Sequence, residues 1–178
     1  MIENLAEMAE PILNMPFIRR TRRNHGLEHA TVHVLGKPIS GRSDAGGFWL
    51  MGDVTTEEVE RAAEEALRRM QNGEHKLAVH PNCGTGLVTT GIMATLAGLA
   101  GTVGMKRSMT DYLARLPTVV LLTIGAIIVS QPLGLQLQEH FTTLGDPGDL
   151  QILDVRREQM TGINGRPITL HRVNTASS

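Results

Sequence analysis

Apolar residues in the first fifteen positions recur at helical spacing: Ile2, Leu5, Met8, Ala9, Ile12, Leu13 and Met15 are set against Glu3, Glu7 and Glu10. This predicts an amphipathic helix. Phe17 and Ile18 follow, then Arg19, Arg20, Arg22 and Arg23, so residues 1–23 form a basic N-terminal segment. Such a segment suits an anionic lipid surface, or equally a solvated basic turn. Residues 24–35 predict a short helix, stopped by Gly36 with Pro38 just beyond. A glycine-rich loop over 41–47 leads into Phe48, Trp49, Leu50 and Met51, a compact apolar run that reads as a strand. Thr55 with Glu58 makes a capping box, and Val59, Ala62, Ala63, Ala66, Leu67 and Met70 mark one face of the helix that follows. Lys76 to Val79 reads as a second strand. Phe48 to Val79 would then be a strand-helix-strand unit with a parallel, right-handed crossover.

After Cys83 the pattern changes. No charged residue occurs in 84–105 or in 116–137, and each stretch is long enough to cross a hydrocarbon core of about 30 Å. Small residues at four-residue spacing, Ala94/Gly98 and Ala97/Gly101, let helix backbones approach closely and offer a face for self-association or for a membrane partner. The prediction is a two-helix transmembrane hairpin over 84–137; the alternative, a buried hairpin of a soluble protein, sits poorly with the lack of a polar face on either stretch. In the tail, Leu150, Ile152 and Val155 and then Ile168, Leu170 and Val173 flank Asn164-Gly165, a hairpin turn signal. The fold class expected is therefore α+β: a small soluble α/β domain over 24–83, the hairpin, and a C-terminal β segment over 138–178.

Composition narrows the classes. The chain has 178 residues, a formal net charge of -1 and one cysteine. No whole-molecule positive charge marks a nucleic-acid binder, and one cysteine excludes an internal disulfide framework. The three glutamates interrupt what would have to be the apolar core of a cleaved signal peptide, and none is expected. Lys106, Arg107 and Arg115 pull the hairpin loop to the cytoplasm, while Arg19 to Arg23 pull the termini there. Lack of a signal peptide and the lone thiol favour cytoplasmic termini.

Candidate chemistry centres on His25-Gly26-Leu27-Glu28-His29. Residues three and four apart share a helix face, so His25, Glu28 and His29 project together, as two imidazoles must to hold one divalent cation. Glu28 is then placed to take a proton from a metal-bound water. His33 is turned away and reads as surface or packing. A second donor group, His80 and Cys83 around Pro81, could chelate zinc and complete a tetrahedral set with His25 and His29; equally, it is a turn with a small buried thiol. Asp44, in the loop 41–47, is a candidate partner for orienting a histidine. A closed four-ligand set is structural, and an open three-ligand set with water is catalytic. Both remain open on sequence alone: a membrane module with a metal or hydrogen-bonded cluster, or a membrane-anchored zinc hydrolase.

The five-residue motif is similar to the His-x-x-Glu-His signature of inverzincin metallopeptidases, which implies two zinc-binding histidines, a glutamate base and a third ligand from a later helix. Glu57, Glu58, Glu60, Glu64 and Glu65 are the candidates for that ligand. More broadly, the runs 23–31 (RNHGLEHAT), 41–44 (GRSD), 47–50 (GFWL) and 80–85 (HPNCGT) resemble an uncharacterised bacterial membrane-protein family. That resemblance spans about residues 22–137 and implies two membrane spans and no particular activity.

Overall fold

The computed structural model describes residues 2–106, 108–161 and 167–178. The chain divides into two compact units, Met1–His80 with Glu139–Ser178, and Pro81–Gln138. The first holds helices α1 (Ile2–Leu13), α2 (Pro16–Leu35) and α3 (Thr56–Gln71), and strands β1 (Ser40–Asp44), β2 (Gly47–Met51), β3 (Gln151–Thr161) and β4 (Pro167–Ala176). The second is helix α4 (Gly84–Gly101) followed by α5 (Met109–Leu137). The class is α+β, as expected.

The four strands form one antiparallel sheet in the order β1-β2-β4-β3. Phe48 and Leu50 of β2 register with Val173 and His171 of β4, and all four are fully buried. Their alternation with Trp49 and Met51 is the period of two that gives a sheet one inner face. Leu27 and Ala30 of α2 and Val59, Ala63, Ala66 and Met70 of α3 close over that face. Both helix ends read from the sequence are present. Gly36 ends α2 in the left-handed region at φ 61, where glycine carries no Cβ penalty. At the start of α3, Thr55 and Glu58 exchange both bonds of the capping box.

The parallel strand-helix-strand unit does not form. Both edges of β2 are taken by antiparallel partners, β1 and β4, which leaves residues 76–79 no edge to join. They lie instead in and just after a single 3₁₀ turn, His75–Ala78. Helix α2 also begins eight residues earlier than the short helix expected, with Pro16 in its first turn. The arginines are consequently helical, and two of them are engaged by the fold: buried Arg22 donates to the carbonyls of His140 and Thr143, and Arg23 pairs with the half-exposed Asp149 at 2.6 Å. The C-terminal strands pair antiparallel; Asn164-Gly165, read as their turn, and the loop residue Arg107 lie outside the described residues.

In the second unit α4 and α5 run antiparallel, with the Thr90 and Ser130 hydroxyls 2.7 Å apart across the pair. A Cβ on Gly134 would stand 3.0 Å from the Cα of Gly86, and one on Gly101 would stand 3.1 Å from the Cα of Val119. Glycine is needed at these close approaches. Gly98 and Gly101, among the small residues whose spacing lets helix backbones approach closely, thus lie toward α5 within the hairpin, at Thr123 and Val119. Both helices are long and apolar enough to cross a membrane. Leu87, Leu121 and Ile128 are 71%, 70% and 63% exposed, a surface that water does not favour.

Candidate metal centre

Helix α2 carries the site because its face over residues 24–31 is buried on nearly every side. Gly26 is the reason a chain segment can cross it: a Cβ there would lie 2.5 Å from the carbonyl oxygen of Leu144 and 3.2 Å from the Ala78 Cβ. The glycine that looks like a flaw in a helix is the contact point for two returning segments. Those segments deliver two carbonyls to the histidines. His25 Nδ1 lies 2.9 Å from the Thr142 carbonyl, and His29 Nδ1 lies 2.7 Å from the Ala78 carbonyl. A backbone carbonyl only accepts, so each Nδ1 is the donor, and in the neutral form of either ring the lone pair lies on Nε2. The two rings are 4.4 Å apart, inclined at 63°. His80, the last residue of the same unit, has its ring 5.9 Å from that of His29. Burial pushes the His80 imidazole below its ordinary range, with the nearby His33 acting the same way. His33 itself is exposed, as the helix geometry suggested.

Glu28 points from the same helix toward β1. Its carboxylate accepts a hydrogen bond from the Ser43 hydroxyl and is only 5% exposed. Burial pushes its carboxyl above the usual range, opposed by the Ser43 bond and by the charge His25 carries when protonated. A Cβ at Gly41 would overlap this carboxylate, its Cδ standing only 2.5 Å away, so Gly41 and Ser43 together form the Glu28 seat. Neither was singled out from sequence for that role. The usable signal was the alternation of Gly41 and Ser43 on a strand beside a helix with one buried acid.

Asp44 does not orient a histidine. It is held by both guanidinium nitrogens of Arg172, at 2.7 and 2.8 Å, and this bond chiefly holds its carboxyl below the usual range. The candidate glutamates of α3 supply no third ligand either. The face of α3 toward the core is Val59, Ala62, Ala63, Ala66 and Met70, which turns Glu57, Glu60 and Glu64 to solvent. Glu58 is occupied by Lys37 and the Thr55 cap, and Glu65 by Arg68. Cys83 is the N-cap of α4, its sulfur accepting from the Thr85 amide at 3.4 Å. It belongs to the second unit, which begins at Pro81, and follows His80 by three residues along the chain.

The donor set suits zinc or a similar borderline ion: imidazoles with fixed tautomers, each anchored by a bond from its other nitrogen, are what such ions select. The ring centroids stand 4.4 Å apart, and His25 and His29 each offer a ring nitrogen within 4.8 Å of the other's.

An α+β unit with a buried histidine helix, joined to a pair of membrane-length apolar helices, defines the class of protein. The chain belongs to a family described as a domain of unknown function, DUF6391, whose pattern matches residues 20–155. It is 34% identical over 136 residues, 68% of its own length, to an uncharacterized protein of Picosynechococcus sp. (strain ATCC 27264 / PCC 7002 / PR-6). The chain spans 65% of the length of that relative. No solved structure matches. The match begins within α2, ahead of His25, and ends within β3, so it takes in His25, His29, His80, Glu28, Ser43, Cys83 and both apolar helices.

Proposed function

We propose that the chain is a membrane-anchored module whose water-facing unit binds one divalent metal ion, zinc fitting the donors best. His25 and His29 are ligands through Nε2, and His80 of the same unit is a third. The observation that carries this reading is the pair of Nδ1-to-carbonyl bonds on neighbouring rings, which directs two lone pairs from one helix face at ordering costs already met by the fold. His80 beside His29 supports a third ligand. Cys83 lies within three residues of it, the spacing of a chelating turn. Anchoring through α4 and α5 is supported by their length and their exposed leucines and isoleucines. A reducing, cytoplasmic side keeps the thiol available to a metal.

A second reading has one observation in its favour. Glu28 occupies the base position of the His-x-x-Glu-His pattern and is buried beside His25, which fits a membrane-anchored zinc hydrolase with Glu28 as general base. Metal content of the detergent-purified protein separates the two. One zinc per chain, lost in both His25→Ala and Cys83→Ala and kept in Glu28→Gln, supports a closed structural site. Zinc lost in His25→Ala only, together with hydrolysis of a peptide library lost in Glu28→Gln, supports the enzyme. No zinc in the wild type rejects the metal reading, and recovery in the supernatant after high-speed centrifugation without detergent rejects the anchoring.

A further inference from the structure

We infer that the end of the α4–α5 hairpin remote from its loop binds an uncharged, hydroxyl-rich lipid headgroup such as that of a hexosyl diacylglycerol; the inference rests on reading α4 and α5 as membrane spans. At this end Gly86 and Gly134 bring the two backbones into contact. Beside the pinch lies an open cavity of about 440 Å³. Four side chains on its wall can hydrogen bond: Asn82, Thr90, Gln131 and Gln138. Leu87, Ile127 and Leu135 supply its apolar wall. Among the described residues none that lines it is charged, so a phosphate or ammonium headgroup would enter unpaired.

Gln131 is the residue that calls for a ligand. It is exposed on α5, one turn from Ile127 and from Leu135, and among the described residues its carboxamide makes no hydrogen bond. An amide left bare at the edge of hydrocarbon is costly. It stands in the last third of the uncharged stretch 116–137, on the side away from the loop between α4 and α5. Carboxamides both donate and accept, as do sugar hydroxyls, so the carboxamide of Gln131, with Asn82 on the same wall, matches a polyol where a carboxylate or guanidinium would not. The leucines and isoleucine beside them suit an acyl chain that a free sugar lacks.

The test uses the full-length protein in phosphatidylcholine nanodiscs doped with monohexosyl diacylglycerol or, separately, with phosphatidylglycerol, released and read by native mass spectrometry. The expected result is retention of the hexosyl lipid above its share of the bilayer, reduced roughly fivefold or more by Gln131→Leu, a change that leaves an exposed apolar surface intact. Thr90→Val serves as a second variant and is expected to weaken retention as well. Retention no greater than that of the phospholipids overturns the inference. So does displacement of the lipid by free methyl glucoside, which assigns the cavity to a soluble sugar, or a dimer that retains no lipid. A protein that never enters the nanodiscs fails earlier, at the membrane reading, and takes this inference with it.

Discussion

Gly26 meets the backbone of Leu144 so closely that a Cβ would stand 2.5 Å from the Leu144 carbonyl oxygen. In an exposed helix, replacing glycine by alanine gains about 1 kcal/mol. Here the opposing backbone is anchored, because the Leu144 amide donates to the Arg22 carbonyl at 3.0 Å, and it cannot give way cheaply. Overlap therefore outweighs propensity. Gly26→Ala is expected to destabilise the first unit by about 1–3 kcal/mol, read as a lower midpoint in denaturant, and to lower zinc retention because the same segment supplies the Thr142 carbonyl to His25. A variant more stable than wild type would show that this crossing is loose.

Asn24, fully buried, ties three elements together. Its amide donates to the Asp44 carbonyl at 2.8 Å, and its side-chain oxygen accepts from the Thr175 hydroxyl at 2.6 Å. Asn24→Ala strands a buried hydroxyl and a carbonyl and is expected to cost about 2–3 kcal/mol, against about 1 kcal/mol for Thr175→Val. Because the two share one bond, the double variant should cost less than the two single costs added together. Strict additivity in a denaturation cycle would disprove the coupling.

The periodic parts of the chain were legible and the convergent parts were not. Val59 to Met70, the capping box and the two apolar runs announce themselves by spacing, because each is a local pattern. The pairing of β2 with β4 depends on a strand more than 100 residues away, and no local pattern states that both edges of β2 are filled. The same limit hid the seat of the candidate site. His25, Glu28 and His29 share a helix face by arithmetic alone. Ser43, Ala78 and Thr142, which fix how those side chains sit, arrive from three separate segments. Even the basic run misled for this reason: Arg22 and Arg23 read as surface charge until the residues that cover them, His140, Thr143 and Asp149, are in place.

His171 gives the first unit a pH dependence of definite sign. The side chain is fully buried in β4, and among the described residues neither ring nitrogen has a hydrogen-bond partner. Burial lowers its pKa below the ordinary 6.5, Arg157 on the neighbouring strand acts the same way, and Glu57 at the start of α3 acts against them. As pH falls through 6.5 the unfolded chain binds a proton that the native imidazole still refuses, so stability drops with acid. Above that pH the two states match and the dependence from this group vanishes. His171→Leu, which removes both unpaired nitrogens, is expected to flatten the melting temperature between about pH 7 and pH 5. Parallel slopes for the two proteins would exclude His171 as the source.

The hairpin glycines make a graded series. Nothing lies within 4 Å of a Cβ built on Gly91, whereas one on Gly98 would reach only the Thr123 hydroxyl at 3.9 Å. One on Gly101 would meet Val119 at 2.8 Å from Cγ2 and 3.1 Å from Cα. Overlap with the Val119 methyl could relax by a rotamer change, but relieving the approach to its backbone requires the helices to part. In lipid, helix association has little hydrophobic drive and depends on close packing of this kind. Alanine at 91 is thus expected to be neutral or to gain up to about 1 kcal/mol from helix propensity. Alanine at 98 should be near neutral, and at 101 it should lose about 1–3 kcal/mol through overpacking. Unfolding of the purified protein by dodecyl sulfate titration in mixed micelles reads the order directly. An equal response at 91 and 101 would mean that α4 and α5 do not meet along the Gly86, Thr90 and Gly101 face.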